Sequence, residues 1–190
     1  INRSKITLVK FHKTNIGGCF VVEPEILEDN RGKFFRSFCE DEFREITNEQ
    51  IRFVQMNHSV NHKKGTFRGM HFQKPPYSEG KLIKCVRGSV LDTFLDIRKG
   101  SPTFLEYEQI ELSEENKKMI YLCKGIAHGF LTLEDNTDLL YHHTEFYNKH
   151  ADNGIRYDDP VVEISLPVIP SIISNKDQNY SLLTHDFKGI

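Results

Sequence analysis

No stretch of the 190-residue chain approaches the roughly 20 consecutive apolar residues that a bilayer-spanning helix needs, so a helical membrane protein is excluded. Neither sign of charge predominates. Lys and Arg number 25 and Asp and Glu 27, which leaves no bulk electrostatic case for nucleic acid or an anionic membrane, and any anionic ligand has to be held by a local site. Cysteine is sparse and scattered. Cys19, Cys39, Cys85 and Cys123 form no C-x-x-C pair and have no histidine at finger spacing, so no zinc ribbon or redox motif is supported and buried reduced thiols are expected. Tryptophan is missing altogether, against 14 Phe and 7 Tyr, which by itself excludes nothing. Residues Ile1 to Phe20 intersperse Arg3, Lys5, Lys10 and Lys13 among short apolar pieces, without an apolar segment of signal-peptide length, and a cytoplasmic protein is expected. With no repeat, low-complexity tract or linker, residues 1–190 are expected to form a single domain.

What the chain has instead is a succession of short strand-like segments between turn signals. They run Cys19 to Val22, Lys33 to Phe38, Ile51 to Ser59, Thr66 to Phe72, Leu82 to Val86, Val90 to Ile97, Leu105 to Leu112, Met119 to Leu122, Gly129 to Leu133 and Leu139 to Tyr147. Many strands at this pitch predict an all-β sandwich or barrel. Leu105 and Tyr107 fall on one face of their segment and Ile110 and Leu112 on the other, which predicts a bulge or a misread strand edge near Gln109. Two short helices are expected to flank the strands, Glu40 to Thr47 and Asn175 to Leu183, the second started by Ser174 and Asp177 at the N-cap and N3 positions of a capping box.

Chemistry concentrates between Phe53 and Arg87, where Gln55, Asn57, His58, Arg68, His71, Gln73, Lys81 and Lys84 lie mostly on strands. Such polarity either covers an outer sheet face or lines a barrel mouth, and Gly65 and Gly69, which permit close backbone approach, favour the mouth. Simple alternation groups His71 with Gly69 and Phe67, and Arg68 with Met70 and Phe72.

Five blocks carry a family resemblance: Phe53 to Ser59 (FVQMNHS), Phe67 to Gln73 (FRGMHFQ), Gly80 to Lys84 (GKLIK), Asp96 to Phe104 (DIRKGSPTF) and Gly125 to Leu131 (GIAHGFL). In this order and spacing they resemble the nucleotide-sugar 3,5-epimerases typified by dTDP-4-dehydrorhamnose 3,5-epimerase, over about residues 18 to 180. The resemblance implies a cupin-like jelly-roll barrel, a nucleotide-linked 4-keto sugar as substrate, and a homodimer in which strands near the N-terminus complete the partner's site. It implies chemistry without a metal or other cofactor. Consistently, Gln73 stands where a cupin His-x-His pair would place its second imidazole, and an amide is a poor substitute. Adjacent strand residues point to opposite faces, so His142 and His143 together cannot repair that set.

Hydrogens on C3 and C5 both flank the C4 ketone, so a base can form an enolate and reprotonation from the other face inverts the carbon. By resemblance His71 is the base, Asp177 orients it, Lys81 stabilises the enolate (with Lys84 as a neighbouring alternative) and Tyr141 is the acid. Arg68, Gln55 and Asn57 match pyrophosphate contacts, Arg31 and Phe34 match residues lent by the partner around the base, and His128 and Tyr147 fall on site positions of unassigned role. One departure is Arg36, where the family carries a carboxylate; donors alone suit the O6 and N7 acceptors of guanine, which points to a GDP-linked substrate over a dTDP-linked one. The alternatives are a 3-epimerase, a non-catalytic sugar-nucleotide-binding cupin and a metal-dependent cupin oxygenase.

Overall fold

The computed structural model describes residues 8–190. Its strands are β1 (Val9–Lys13), β2 (Phe20–Pro24), β3 (Leu27–Asp29), β4 (Gly32–Phe34), β5 (Gln55–Asn61), β6 (Thr66–Gln73), β7 (Lys81–Arg87), β8 (Ser89–Asp96), β9 (Tyr107–Ser113), β10 (Met119–Leu122), β11 (Ile126–Thr132), β12 (Thr137–His143), β13 (Asp152–Gly154) and β14 (Ile172–Ile173). Two helices join them, α1 (Glu40–Thr47) and α2 (Asn175–Gln178). One sheet runs β1-β2-β10-β7-β12-β5 and a second β13-β6-β11-β8-β9, with β14 added to β6 in the one parallel pairing among the described residues; β3 and β4 form a separate hairpin. This is a cupin-like jelly roll.

Each apolar face has its own cover. Between the sheets, Ile83, Cys85, Ile120 and Leu139 of the first meet Val90, Phe94, Leu112 and Phe130 of the second. The outer face of the second sheet, with Phe67, Met70, Leu95 and Leu131, is covered by the C-terminal segment through Ile155, Val162, Ile164 and Phe187. The outer face of the first is covered by α1, whose Phe43 is fully buried against Val22, Leu82, Met119 and Tyr121. Fully burying one such aromatic contributes on the order of 2–3 kcal/mol.

This double cover explains the pattern in β9. Its register against β8 is unbroken from Ser89↔Ser113 to Leu95↔Tyr107, so the bulge expected near Gln109 is not there. Tyr107 belongs to the outer cluster and Ile110 and Leu112 to the inner one, in ordinary alternation, because both faces are buried. Leu105 precedes the strand with φ of 65°. Helix α1 has the expected bounds, whereas α2 stops at Gln178, five residues short of Leu183.

Strand β6 also departs from expectation. Opposite β11, His71 pairs with His128 and Arg68 with Phe130, so three residues of β6 span what two of β11 do, and β6 carries a bulge between them. Gly69 makes it possible. Its φ is 131°, and a Cβ there would lie 2.4 Å from the Gly129 Cα. The extra residue puts Arg68 and His71 on one face and leaves Phe67 and Met70 in the outer core, in place of the grouping that simple alternation predicts.

Candidate active site

A cavity of about 330 Å³ opens at the end of the barrel, between the two sheets. The second sheet contributes Arg68 and His71 from β6 and His128 from β11; the first contributes Lys81 from β7 and Tyr141 and His143 from β12. The bulge at Gly69 is what aims both Arg68 and His71 into it. Asn57, Glu79 and Tyr147 also line it.

His71 is held from behind. Its Nε2 lies 2.7 Å from Asp177 Oδ1, and the other carboxylate oxygen accepts from the Gly69 N–H at 3.3 Å. Asp177 is buried. Burial pushes its carboxyl upward, but hydrogen bonding and charge from His71, with the Gly69 N–H and Ser174, outweigh this and hold it below the usual carboxylate range. The capping expectation holds for one half of the box: Ser174 Oγ accepts from the Asp177 N–H at 3.0 Å while the Asp177 carboxylate is directed at His71. The arrangement fixes the imidazole through Nε2.

Lys81 is buried and reaches across the barrel mouth, from the first sheet to the second. Its Nζ donates to the His71 carbonyl at 3.2 Å and lies 3.2 Å from Glu79 Oε1. Glu79 Oε2 is 2.9 Å from His143 Nδ1, and His143 Nε2 is 3.3 Å from Asn57 Nδ2. Burial opposes ionisation of Glu79, and His143 and Lys81 reverse it, so its carboxyl lies below the ordinary value. Lys84 takes no part. It lies on the other face of β7, donating to Ser37 Oγ at 3.0 Å over the Phe35 ring.

Tyr141 faces this group from β12. Its ring is 6.0 Å from that of His128 and 6.2 Å from that of His143, and burial drives its phenol well above the ordinary tyrosine range, so it stays protonated at neutral pH. His128 is buried and 2.8 Å from Asp92 Oδ2. Desolvation pushes both members of this pair toward their neutral forms, raising Asp92 and lowering His128. Arg68 Nε donates to Asn61 Oδ1 at 2.8 Å, leaving the rest of its fork available. Gln55 Oε1 accepts from the Tyr147 N–H at 3.0 Å, beside the cavity wall.

Three expected residues lie elsewhere. Arg31 and Phe34 are on the β3–β4 hairpin, lining a separate cleft, and Phe34 is 70% exposed. Arg36 is paired with Glu42 of α1, Nη1 to Oε1 at 3.1 Å, and is not in the cavity wall. Gln73, the residue that interrupts a cupin ligand set, spends its amide on the Tyr77 and Phe146 carbonyls and the Asn148 N–H. Among the described residues, no three His, Cys, Asp or Glu side chains converge as a metal site requires. His142 and His143 do point to opposite faces, His142 against Phe53 and His143 into the cavity.

The residues that sequence reasoning missed are Glu79, His143 and Asp92. The alternation of β12 could have found His143, two positions from Tyr141; nothing local marks the other two.

Comparison with known proteins decides the kinship. The sequence model described as dTDP-4-dehydrorhamnose 3,5-epimerase matches residues 13–185. The chain belongs to this family. It is an epimerase, an isomerase acting on a carbohydrate. The Shigella flexneri dTDP-4-dehydrorhamnose 3,5-epimerase is 41% identical over 167 residues, 88% of this chain and 92% of the relative. The crystal structure of the enzyme from Elizabethkingia anophelis NUHP1 superposes with a TM-score of 0.90 at 35% identity, covering 95% of this chain and all of that one. That of the Legionella pneumophila dTDP-6-deoxy-D-glucose-3,5-epimerase, in complex with dTDP-4-keto-L-rhamnose, gives 0.86 at 36%, covering 92% of each.

Proposed function

We propose that the chain inverts C3 and C5 of a dTDP-linked 4-keto-6-deoxyhexose through an enolate. The observation that carries this reading is the His71–Asp177 pair facing Lys81 and Tyr141 across one cavity. His71 removes the proton next to the ketone, and Asp177 stabilises the imidazolium that results. Lys81 provides the positive charge beside the developing oxyanion. Tyr141, on the opposite sheet, returns a proton to the other face of the carbon. Arg68 binds the pyrophosphate with Asn57 and Gln55, as a guanidinium fork suits two phosphates in a protein without bulk positive charge.

Thymidine is the base in this reading. The argument for guanine rested on Arg36, which is committed to Glu42, and the Legionella relative holds a dTDP-linked sugar. The exposed β3–β4 hairpin, with Leu27 at 48% and Phe34 at 70% exposure, supports a homodimer in which Arg31 and Phe34 serve the partner's site. Four free cysteines suit a reducing compartment, and the reading places the enzyme in the cytoplasm as one domain.

The test offers dTDP- and GDP-linked 4-keto sugars in heavy water and locates the exchanged carbons by NMR and mass spectrometry. Exchange at C3 and C5 of the dTDP sugar is expected, and His71→Asn should lower both by at least about a hundredfold. Exchange at C3 alone would restrict the enzyme to one centre, and undiminished exchange in a folded His71→Asn protein would remove His71 from the mechanism.

A further inference from the structure

Two of the scattered cysteines meet. Cys19 and Cys123 are 104 positions apart in the chain, yet their Sγ atoms are 4.0 Å apart. The sheet brings them there: Phe20 of β2 lies opposite Tyr121 of β10, so Cys19 enters one strand where Cys123 leaves the other. Arg98 Nη1 lies 3.4 Å from Cys123 Sγ, with the rest of the guanidinium held by Asp96. A cavity of about 360 Å³, lined in part by Lys13, Thr14, Gly17 and Tyr121, opens onto both sulfurs and shares no lining residue with the cavity at His71.

The two thiols are not equivalent. The Cys19 thiol and Arg98 draw the Cys123 thiol below its ordinary pKa against the effect of burial, while Cys19 is raised far above it by that hydrogen bond and by burial. The other cysteines lack such a setting. Cys85 is buried and pushed up to about 12 by desolvation, and Cys39 is half-buried at the N-cap of α1.

We propose that Cys123 is a modification site for hydrogen peroxide and that Cys19 resolves it into a disulfide tying β2 to the β10–β11 turn. The Cys123 sulfur attacks the O–O bond and becomes a sulfenic acid, and the hydroxide released takes up a proton to leave as water. The Cys19 sulfur then attacks the Cys123 sulfur. The S–O bond breaks and a second water departs with the Cys19 proton; two thiols are oxidised and one peroxide is reduced. Leu122, next to Cys123, pairs with Lys81 in the sheet, so the crosslink fixes the end of the strand beside the catalytic one. Closing so long a loop should raise Tm by roughly 10 °C.

The experiment treats the folded protein with hydrogen peroxide after removal of reductant, alkylates the remaining thiols under denaturing conditions and maps the peptides. The expected result is a Cys19–Cys123 linked peptide, alkylated Cys39 and Cys85, and a rise in Tm that dithiothreitol reverses. Cys19→Ser should halt the reaction at a sulfenic acid on Cys123, trapped by dimedone; if that variant does not fold, the wild-type peptide map decides alone. Prior oxidation of Cys39 or absence of the linked peptide would overturn the assignment, and a linked protein that melts no higher than the reduced one would overturn the staple.

Discussion

Replacing Asp177 by Asn separates orientation of His71 from its charge. The amide keeps the size of the carboxylate and can still accept from His71 Nε2 through its oxygen, so the imidazole keeps a partner at about the observed 2.7 Å. What disappears is the negative charge facing the imidazolium that proton abstraction creates. Two unit charges about 4 Å apart at an effective dielectric constant of 20 interact by about 4 kcal/mol, and the hydrogen bond retained by the amide recovers about 1 kcal/mol of it. A net loss of about 3 kcal/mol in the transition state corresponds to a fall in kcat of roughly a hundredfold or more. Asp177 is not in the cavity wall, so KM should change little. Isotope exchange under single-turnover conditions, together with steady-state kcat and KM, makes the measurement. A variant that keeps kcat within about threefold of wild type, or that loses activity through a raised KM, would refute the dyad as the source of basicity.

Tyr141→Phe keeps the ring contacts with His128 and His143 but deletes the donor, so deuterium wash-in should outrun formation of inverted product; equal losses of both would make Tyr141 a packing residue. Lys81→Met removes the ammonium from a half-buried Glu79 carboxylate that keeps His143 and Gln73, and should cost about 2 kcal/mol in urea unfolding, whereas Lys81→Met with Glu79→Gln should recover much of that stability without recovering turnover. Asp96, buried but held by hydrogen bonds from Arg98, Ser101 and Thr103, has its carboxyl lowered from 3.8 to about 2. Its folded value lies below its unfolded one, so its contribution of up to about 2 kcal/mol is full above about pH 5 and is lost as the pH falls toward 2. The stability gap between wild type and Asp96→Asn should therefore shrink by about 1 kcal/mol between pH 5 and pH 3, and a gap independent of pH would contradict the assignment.

Strand content was legible because period-two runs and turn residues recur, and α1 because its apolar positions fall at helical spacing within an otherwise β pattern. The segments that deceived are those buried on two sides. In β9 both Tyr107 and Ile110 are apolar because separate cores claim the two faces, and a sequence reader who expects one wet face infers a bulge that does not exist. The short strands β13 and β14 have no pattern of their own; both are recruited by β6, through Gly154↔His71 and Ile173↔Phe67. Helix α2 ends early because the chain past Asn179 turns to deliver Leu183 and Phe187 to the outer core, and tertiary packing there overrides a weak local preference.

The candidate site divides along the same line. His71, Lys81 and Arg68 lie within recognisable blocks, and Tyr141 was reached by resemblance outside them, so their presence was legible, but their convergence was not, because the bulge on β6 reverses the face that alternation assigns to His71 relative to Arg68. A bulge needs no special sequence beyond a glycine, and Gly69 marks it only once Gly129 is known to lie against it. Glu79 and Asp92 were missed for a related reason. Each is a carboxylate that faces a histidine on another strand, Glu79 toward His143 as well as Lys81 two residues on, Asp92 toward His128, and the histidine pairings are properties of register, not of local sequence. Arg36 shows the converse case. Its guanidinium is chemically suited to a guanine edge, yet helix α1 supplies Glu42 at hydrogen-bond distance, and the nearer carboxylate takes the donor. Donor chemistry identifies what a side chain is able to bind; only the neighbouring elements determine which partner it has.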